Sequence, residues 1–383
     1  MTEVLISAGD ASGDVHAAEL LEALRALRPG TRSFGLGGAH LERAGMEILV
    51  TQSDVAVGGG VEVLRAVPRV FGAWRRLEAA ARARKPALAV LVDAPDLHIP
   101  LAKRLARTGV PILYYVSPQV WAWRTGRIAK IARRVDRMAV IFPFEVAVYA
   151  GSGLRVDFVG HPLVDPLRMV REKIDRSAAR AALGVSGKQP LVLLLPGSRH
   201  NEVRYGLPLQ LASAAKLRAL VPEAAFALAV APSVRRAEVD AALAAQSLDV
   251  RVVEGRTHEA MIAADAALVK PGTASLELAL LGCPHVAAGR ANPLSVAVVR
   301  RMVRVPSMLL PNLIADAPVV PEFLQEQADP ERIAVALAAL LRGPAGALQK
   351  ARLAIVSQRL GAGGAAQRAA GIAAEMIDGG RAR

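Results

Sequence analysis

An apolar run in the first half of the chain ends in two acids, and their position suits acid–base chemistry. Residues 88–92 (LAVLV) have the continuous hydrophobic character of a strand buried in a parallel sheet, and Asp93 and Asp96 follow them. The carboxyl edge of such a sheet is where open α/β folds bind ligands. A partly desolvated carboxylate there can remove a proton from a hydroxyl, so Asp93 is a candidate general base. Asp96 is compatible with function and equally with a helix cap.

A glycine-rich loop follows the first apolar run, residues 4–8. Gly13 permits a tight turn and the close approach of a ligand, and Ser12 lies beside it. Asp10 is predicted to face the site and take part in catalysis, whereas Asp14 is predicted to act only as a helix cap. Because the loop lacks the G-x-G-x-x-G pattern, the sequence argues against a dinucleotide site.

A second strand–turn–helix unit occupies residues 191–199 (LVLLLPGSR), with Ser198 and Arg199 at the start of a helix. Free backbone N–H groups and the partial positive charge of a helix N-terminus favour an anion at such a turn. The guanidinium of Arg199 could bind a diphosphate through two hydrogen bonds and stabilise it as it leaves. The alternatives are a surface ion pair between Arg199 and Glu202, and a capping role for Glu202.

A third turn, residues 270–277 (KPGTASLE), has the same character. Gly272 and Thr273 offer backbone and hydroxyl donors to a phosphate. Glu277, one helical turn later, could accept hydrogen bonds from ribose hydroxyls, although an ordinary helix-surface acid would look the same. The acidic first loop and the basic second loop together predict acid–base chemistry on one side of the site and phosphate binding on the other.

The bulk composition limits the classes of protein. The chain has 383 residues, of which 53% are hydrophobic and 4% aromatic, and a formal net charge of +14. This charge predicts an anionic partner (nucleic acid, an anionic membrane or a phosphorylated substrate), unless it reflects only an arginine-rich solvated surface. The single cysteine, Cys283, excludes an intramolecular disulfide and fits a reducing compartment. The seven histidines lack zinc-site spacing, so neither a metal nor another cofactor is expected.

The amino-terminal residues lack the basic and apolar regions of a signal peptide, and no uncharged apolar run approaches the ~20 residues that span a bilayer. We therefore expect a cytoplasmic protein that is soluble or peripheral to a membrane.

Apolar strand-like runs alternate with helix-like segments over most of the chain. This alternation predicts an α/β fold with two Rossmann-like, doubly wound parallel-sheet domains facing each other across a cleft. The predicted strands lie near residues 4–8, 33–36, 88–92, 112–115, 138–142, 157–159, 191–195, 225–230, 250–253, 266–269 and 285–288.

A polar break near Pro166 predicts a boundary between domains at residues 1–165 and 166–345. A last helix, within about residues 364–383, follows a Gly-rich hinge at residues 361–364. It is predicted to cross back to the first domain.

Residues 61–76 combine apolar and basic side chains at helix-like spacing. Such a helix can lie on an anionic membrane, although apolar stripes more often pack into a core. Pro68 suggests two short helices rather than one. The predicted membrane-facing or acyl-facing residues are Val61, Leu64, Val67, Val70, Phe71 and Trp74, with Arg65, Arg69, Arg75 and Arg76 beside them.

Several motifs taken together resemble one known family, the lipid-A-disaccharide synthases. The resemblance runs in order from about residue 4 to residue 340, and its most specific part is the run ending in WAWR at residues 121–124. The motifs are SAGDASGD (7–14), DAPD (93–96), YVSPQVWAWR (115–124), FPFE (142–145), FVGHP (158–162), LPGSR (195–199), GTASLE (272–277) and LPNL (310–313).

This resemblance implies a glycosyltransferase with the two-domain GT-B architecture that acts in lipid A biosynthesis. It implies transfer of 2,3-diacylglucosamine from UDP to 2,3-diacylglucosamine 1-phosphate, giving a β-1,6 disaccharide 1-phosphate and UDP without a metal. It also implies a peripheral position on the cytoplasmic face of the inner membrane of Gram-negative bacteria, and homodimers formed by exchange of C-terminal segments.

The resemblance also implies roles for individual residues. Asp93 would be the base on the acceptor 6-hydroxyl, Arg199 would bind the diphosphate, and Glu277 and Asn312 would lie in the UDP pocket. With the turns above, the predicted UDP-binding set is Ser198, Arg199, Glu202, Gly272, Thr273, Glu277 and Asn312, and Ser12 and Gly13 form the loop near the acceptor.

The chain departs from the family pattern at three places. Asp10 stands where the family usually has Glu, His98 stands where it usually has Asn, and residues 58–60 (GGG) replace a common Met-Gly. The shorter Asp10 keeps its acid character but changes its reach, and the glycines weaken the argument for acyl-chain docking.

Three other functions remain open on the sequence. A UDP-N-acetylglucosamine 2-epimerase would share the fold but would not explain the run around residues 121–124. A basic nucleic-acid-binding protein would explain the charge, yet the chain has few aromatics and no recognisable nucleic-acid motif. A non-catalytic lipid-binding relative would not need Asp93 and Arg199.

Overall fold

The computed structural model describes residues 2–56, 62–123, 125–185, 187–246, 248–292, 296 and 305–379. The chain forms two compact units. Unit 1 comprises Met1–Pro162 and Gly363–Arg383, and unit 2 comprises Leu163–Ala362. Each unit contains one parallel sheet with helices around it, which confirms the predicted α/β class with two doubly wound sheets.

The sheet of unit 1 has seven parallel strands in the order β3-β2-β1-β4-β5-β6-β7. The order reverses between β1 and β4, so the loops after these two strands lie side by side at the carboxyl edge. The strands are β1 (Glu3–Ala8), β2 (Arg32–Gly37), β3 (Glu47–Thr51), β4 (Leu88–Val92), β5 (Ile112–Tyr115), β6 (Arg137–Val140) and β7 (Arg155–Phe158).

The helices of unit 1 include one that differs from the sequence prediction. Residues 62–84 form a single helix, not two, with Pro68 inside its second turn. There the missing N–H removes only one early hydrogen bond of a long helix. The helices are α1 (Ala11–Leu27), α2 (Ala39–Arg43), α3 (Gln52–Val55), α4 (Glu62–Arg84), α5 (Pro95–Ala106), α6 (Val120–Trp123), α7 (Ile128–Ala132) and α8 (Glu145–Val148), with a 3-10 turn at Thr125–Arg127.

Unit 2 repeats this pattern with six parallel strands in the order β10-β9-β8-β11-β12-β13. Its strands are β8 (Leu191–Leu195), β9 (Ala225–Val230), β10 (Arg251–Glu254), β11 (Ala266–Val269), β12 (His285–Gly289) and β13 (Glu322–Leu324). Its helices are α9 (Val164–Lys173), α10 (Arg176–Ala182), α11 (His200–Leu220), α12 (Arg236–Ala244), α13 (Thr257–Ala263), α14 (Thr273–Leu281), α15 (Leu310–Ala315), α16 (Pro330–Arg342) and α17 (Pro344–Leu360), with a 3-10 turn at Gln325–Gln327.

The sequence prediction located the central strands and missed two at the edges. The predicted runs 88–92, 112–115, 191–195, 225–230 and 266–269 coincide with β4, β5, β8, β9 and β11. Strands β3 and β13 were not predicted. Each lies at the edge of its sheet and is only partly buried, so neither carries the continuous apolar run that marks a central strand.

The last helix, α18 (Ala365–Gly379), belongs to unit 1 and packs against α1. Its inner face is built from small buried residues, which let the two helix backbones approach closely. Glu375 pairs with the buried Arg137 at 2.6 Å, and Arg368 donates to the carbonyl of Val159 at 2.9 Å. Short side chains and peripheral ion pairs therefore hold this helix in place.

The Ala-rich face of α18 predicts opposite effects for two neighbouring substitutions. Ala370 is fully buried, so Ala370→Leu overpacks the contact and should destabilise the protein by about 1–3 kcal/mol. At Gly371 an added Cβ meets no atom within 4 Å, so Gly371→Ala should stabilise by about 0.5–1 kcal/mol. Thermal unfolding monitored by circular dichroism measures both. Equal Tm values for the two variants would contradict this account of the packing.

Candidate active site

Asp93 stands at the carboxyl end of β4 with a backbone conformation that is rare for its residue type. Its φ is +48° and that of Ala94 is +42°, so two consecutive non-glycine residues adopt left-handed geometry. Such conformations persist only where surrounding contacts enforce them, and they cluster at functional sites. The Asp93 side chain is half-buried. Burial, together with the negative charge of Asp10, raises the pKa of its carboxyl to about 6.

Three hydrogen bonds fix the Asp93 backbone. Its N–H donates to the carbonyl of Tyr115 at 3.0 Å. Its carbonyl oxygen accepts from the Tyr114 hydroxyl at 2.5 Å and lies 2.7 Å from His98 Nδ1. Tyr114 and His98 are both fully buried. A carboxylate at this position is therefore held on a rigid frame while its pKa suits proton transfer near neutral pH.

The loop after β1 lies directly beside this frame. A Cβ added to Gly9 would come within 2.8 Å of Leu97 Cδ2 and 3.0 Å of Ala94 Cβ, so only glycine allows the two loops this proximity. Asp10 is exposed, and its Oδ1 accepts the N–H of Gly13 at 2.7 Å, which makes Asp10 the N-cap of α1. Ser12 is exposed in the first turn, and Gly13 is buried. The structure thus brings Asp10, Ser12 and Gly13 to the edge where Asp93 lies.

Two acids in this region had a possible capping role, and the structure shows what each of them contacts. Asp14 does not cap its own helix, because its buried carboxylate accepts the N–H groups of Gly38 and His40 at 2.7 and 2.8 Å and so secures the start of α2. Asp96 is not an N-cap either. It lies in the first turn of α5 behind the N-cap Ala94, and its exposed carboxylate pairs with Arg127 at 2.8 Å.

Unit 2 has a cavity of ≈ 460 Å³ at the carboxyl ends of β8, β9 and β11. It gathers residues from the second and third turns, which lie far apart in the sequence but next to each other in the sheet. Among the predicted UDP-binding residues, those that line it are Ser198, Arg199, Glu202, Gly272, Thr273 and Glu277.

Glu202 organises the turn after β8. Its carboxylate accepts the N–H groups of Ser198 and Arg199 at 3.1 and 3.3 Å and the ammonium of Lys270 at 2.8 Å. Burial raises the pKa of Glu202, but the hydrogen bonds from Lys270 and from the backbone outweigh burial and leave the pKa lowered. The expectation of free N–H groups at this turn is therefore wrong for Ser198 and Arg199, since Glu202 occupies both.

The positive side chains around this cavity differ in their freedom. The Arg199 side chain is 85% exposed, and its nearest contact with Glu202 is 3.9 Å, too long for a strong ion pair. It can therefore turn toward a ligand. Lys270, which directly follows β11, is held at the cavity wall by Glu202. Lys270 was not among the predicted site residues, although its position right after a buried strand was a usable signal.

The start of α14 forms another wall of the cavity. Gly272 is its N-cap and supplies no side-chain acceptor, and Thr273 is exposed at the first helical position. The backbone N–H groups of this first turn can therefore donate hydrogen bonds to an anion. Glu277 lies one turn further along and contacts His258 at 3.8 Å, which raises the pKa of that imidazole.

Asn312, the remaining residue of the predicted UDP-binding set, lies away from the cavity of unit 2. Among the described residues that line the cavity, Asn312 is absent. Its side chain is buried and joins the backbone of Val320 twice, accepting its N–H at 2.8 Å and donating to its carbonyl at 2.9 Å. Asn312 thus fixes the segment that leads into β13.

The predicted apolar stripe on α4 divides into two groups. Val70 and Trp74 pack against the core, and Trp74 donates to the carbonyl of Leu97 at 3.1 Å. Val67 and Phe71 are 57% and 38% exposed. Arg75 lies over the Phe71 ring at 4.6 Å. Val61 and the side chain of Leu64 lie outside the described residues.

No helix in the described ranges is both long enough and apolar enough to cross a bilayer. Within those ranges, no three His, Cys, Asp or Glu side chains are grouped so that they could hold a metal ion.

Known structures resemble this fold over its full length. The UDP-GlcNAc 2-epimerase from Neisseria meningitidis bound to UDP-GlcNAc superposes with a TM-score of 0.68, covering 98% of this chain and 100% of that chain at 13% identity. MurG from Acinetobacter baumannii gives a TM-score of 0.59 at 16% identity, covering 97% of this chain and 99% of that chain. At these identities the likeness establishes the fold, which includes GT-B glycosyltransferases, and does not favour the epimerase.

Sequence similarity identifies a family, which the structural likeness alone does not. Residues 4–374 match the family of lipid-A-disaccharide synthetases. The lipid-A-disaccharide synthase of Anaeromyxobacter dehalogenans is 46% identical over 341 residues, covering 88% of each chain. That of Geobacter sulfurreducens is 43% identical over 376 residues, covering 98% of this chain and 97% of its own. The chain therefore belongs to the lipid-A-disaccharide synthase family, whose members are glycosyltransferases that build the disaccharide of lipid A.

Proposed function

We propose that the chain transfers 2,3-diacylglucosamine from UDP to the 6-hydroxyl of 2,3-diacylglucosamine 1-phosphate, with inversion at the anomeric carbon. The acceptor hydroxyl gives its proton to a carboxylate, and its oxygen forms a bond to the anomeric carbon of the donor. The bond from that carbon to the diphosphate breaks, and its electron pair leaves with UDP. The observation that carries the proposal is the rigidly held, half-buried Asp93 with a raised pKa.

Asp93 acts as the base in this scheme. Its pKa of about 6 leaves it ionised at neutral pH, yet closer to the pKa of a sugar hydroxyl than an ordinary carboxylate would be. After burial, charge repulsion from Asp10 is the second cause of this raised pKa, and the cap of Asp10 on Gly13 holds the loop in which Ser12 lies. Ser12 and Gly13 then contact the acceptor.

Unit 2 holds UDP in its cavity. Arg199 and Lys270 neutralise the diphosphate, and the N-terminal turn of α14, with Gly272 and Thr273, donates backbone and hydroxyl hydrogen bonds. Glu277 accepts from the ribose hydroxyls. Glu202 and Ser198 shape the turn, and Asn312 supports the segment at Val320 instead of touching the nucleotide. These groups stabilise the leaving UDP by charge, so we expect turnover in the presence of EDTA.

The exposed part of α4 docks the protein on the cytoplasmic face of the inner membrane. Val67 and Phe71 supply apolar surface, and the exposed Arg69, Arg75 and Arg76 supply positive charge beside it. Both substrates carry acyl chains and negative charges, so an enzyme at this surface meets them where they reside. Dimer formation by exchange of C-terminal segments remains a prediction, for which Gly361, Gly363 and Gly364 supply a connection whose positive φ angles are open to glycine and rare for other residues.

The pKa of Asp93 predicts the pH dependence of the reaction. A base must be ionised, so kcat/KM should rise with pH through about 6 and level off above it. Asp93→Asn should lower kcat by ~10²–10⁴-fold. Because the fold raises this pKa, ionisation of Asp93 destabilises the native state at pH 7.5, and the neutral Asn should not lower Tm there. Disaccharide formation from the two lipid substrates in detergent with EDTA is the assay.

A second variant tests the coupling between the two acids. Asp10→Asn keeps a good helix cap but removes a negative charge, so the acid limb of the pH profile should move to lower pH. Glu22→Gln makes the same charge change at an exposed position of α1 and should leave the limb in place. An unchanged limb in Asp10→Asn would contradict the proposed pairing.

The cavity of unit 2 predicts that UDP affinity depends on two cations. Arg199→Ala and Lys270→Met should each raise the Kd for UDP by about 10-fold, the effect of one charge-assisted hydrogen bond. Isothermal titration calorimetry measures this without an acceptor. Arg352→Ala removes a charge from an exposed site on α17 and should have no effect. Equal losses in all three variants would indicate general electrostatics and not a binding site.

The surface of α4 predicts membrane binding that depends on particular apolar side chains. Val67→Ser combined with Phe71→Ser should reduce partition onto phosphatidylethanolamine–phosphatidylglycerol vesicles by ~10-fold or more, given about 1.5–3 kcal/mol for each buried side chain. Vesicle co-sedimentation measures the partition. Val335→Ser with Leu348→Ser removes apolar groups that are at least as exposed from unit 2 and serves as the control. Similar losses in both double variants would contradict docking through α4.

A further inference from the structure

A buried imidazole connects the two loops of the unit 1 site. His98 lies on α5, one turn after Asp93, and has no exposed surface. Its Nδ1 is 2.7 Å from the carbonyl oxygen of Asp93, and its Nε2 is 2.8 Å from Ser7 Oγ. Ser7 is fully buried near the end of β1, two residues before the close approach at Gly9. The ring therefore links the carboxyl end of β1 to the carboxyl end of β4.

The partners of the ring determine its protonation. A carbonyl oxygen only accepts, so Nδ1 must carry a hydrogen. Burial lowers the pKa of His98 to about 4, so the imidazole is neutral over the working range and Nε2 keeps its lone pair. The Ser7 hydroxyl then donates to Nε2, and Nδ1–H donates to Asp93. Both hydrogen bonds have one direction, and the ring has a single tautomer.

Two hydrogen-bond donors on the carbonyl oxygen of Asp93 explain how the left-handed backbone of this residue is held. The Tyr114 hydroxyl and His98 Nδ1–H fill both lone pairs of the Asp93 carbonyl. Burial raises the pKa of Tyr114 far above its ordinary value, so this hydroxyl stays a donor. The charged or titratable groups that act on the Asp93 carboxylate, Asp10 and His16, lie on the neighbouring loop and helix. The carbonyl contacts therefore control orientation and leave the carboxylate itself available.

We propose that His98 is a positioning residue: its Nδ1–H donor, oriented by Ser7, holds Asp93 in the left-handed conformation that sets the direction of its carboxylate. The inference rests on the proposed function, in which Asp93 is the base. If His98 positions Asp93, its Nδ1 must contribute more to catalysis than its Nε2. A ring that only filled space would show no such difference.

Two amide substitutions of His98 test whether Nδ1 contributes more than Nε2. In His98→Asn the amide nitrogen can take the place of Nδ1, whereas in His98→Gln the amide reaches the place of Nε2 and leaves the Asp93 carbonyl with one donor. We expect His98→Asn to keep kcat within ~3-fold and His98→Gln to lose about 10–100-fold, with KM and the Kd for UDP nearly unchanged. Ser7→Ala, which only releases the ring, should lose ~3–10-fold. Equal losses in the Asn and Gln variants, or losses confined to KM, would overturn the inference.

Nuclear magnetic resonance gives a readout that does not depend on turnover. The ¹⁵N shifts of His98 in the wild-type protein should show the Nδ1–H tautomer without protonation from about pH 5 upward. The ¹³C titration of the Asp93 carboxyl should agree between wild type and His98→Asn and shift downward in His98→Gln, where a released backbone gains solvent.

An Nε2–H tautomer, an imidazolium ring or three identical Asp93 titrations would refute the role of His98. If these signals behave as expected while the wild-type protein makes no disaccharide, the proposed function fails and the assignment of His98 to the Asp93 backbone stands.

Discussion

Both faces of strands β1 and β4 are buried, and this packing constraint decides where unit 1 can keep a charge. Every side chain of β4 is buried, as are all those of β1 after its first residue. An ionised group within either strand would lose its hydration without compensation. The acids Asp10 and Asp93 accordingly come after the last strand residues. Ser7, the polar exception inside β1, is satisfied by the His98 ring. Burial of β1 and β4 on both faces thus explains both why these strands are apolar and why the acids lie at the carboxyl edge of the sheet.

The two sheets use carboxylates at their edges in opposite ways. At Asp93 burial and the negative charge of Asp10 outweigh the favourable contributions of the Ala94 N–H and His16, and the pKa is raised. Glu202 receives an ammonium and two backbone N–H groups, and its pKa is lowered. Groups whose surroundings push their pKa values apart have different chemical uses. Asp93 is suited to exchange a proton, and Glu202 is suited to remain a permanent anion that orders a turn and positions Lys270.

Much of the fold could be predicted because buried parallel strands leave a continuous apolar signal. The same signal located Asp93, which follows such a run. The edge strands β3 and β13 carry no such signal, and the unbroken helix through Pro68 depends on where the helix begins. Local sequence also could not decide which helix Asp14 caps, since its partners are Gly38, the N-cap of α2, and His40 in the first turn of α2. Those contacts exist only after the strands pair.

Side-chain partners around the cavity of unit 2 were harder to predict for the same reason. The pairing of Glu202 with Lys270 joins residues that are distant in the chain and adjacent only because β8 lies next to β11. The burial of Asn312 against Val320 likewise depends on how the chain enters β13. Periodicity and motif spacing specify elements and their ends, but tertiary pairing assigns each polar atom its partner.

The position of α18 has a consequence for synthesis. Unit 1 is discontinuous: the helix that covers α1 is separated from the rest of the unit by all of unit 2, Leu163–Ala362. At ~5–20 residues per second, a ribosome needs roughly 10–40 s to make that inserted stretch. Throughout this interval the face of α1 that packs against α18 remains uncovered. The unit that carries Asp93 can therefore be completed only after all of unit 2 has been made.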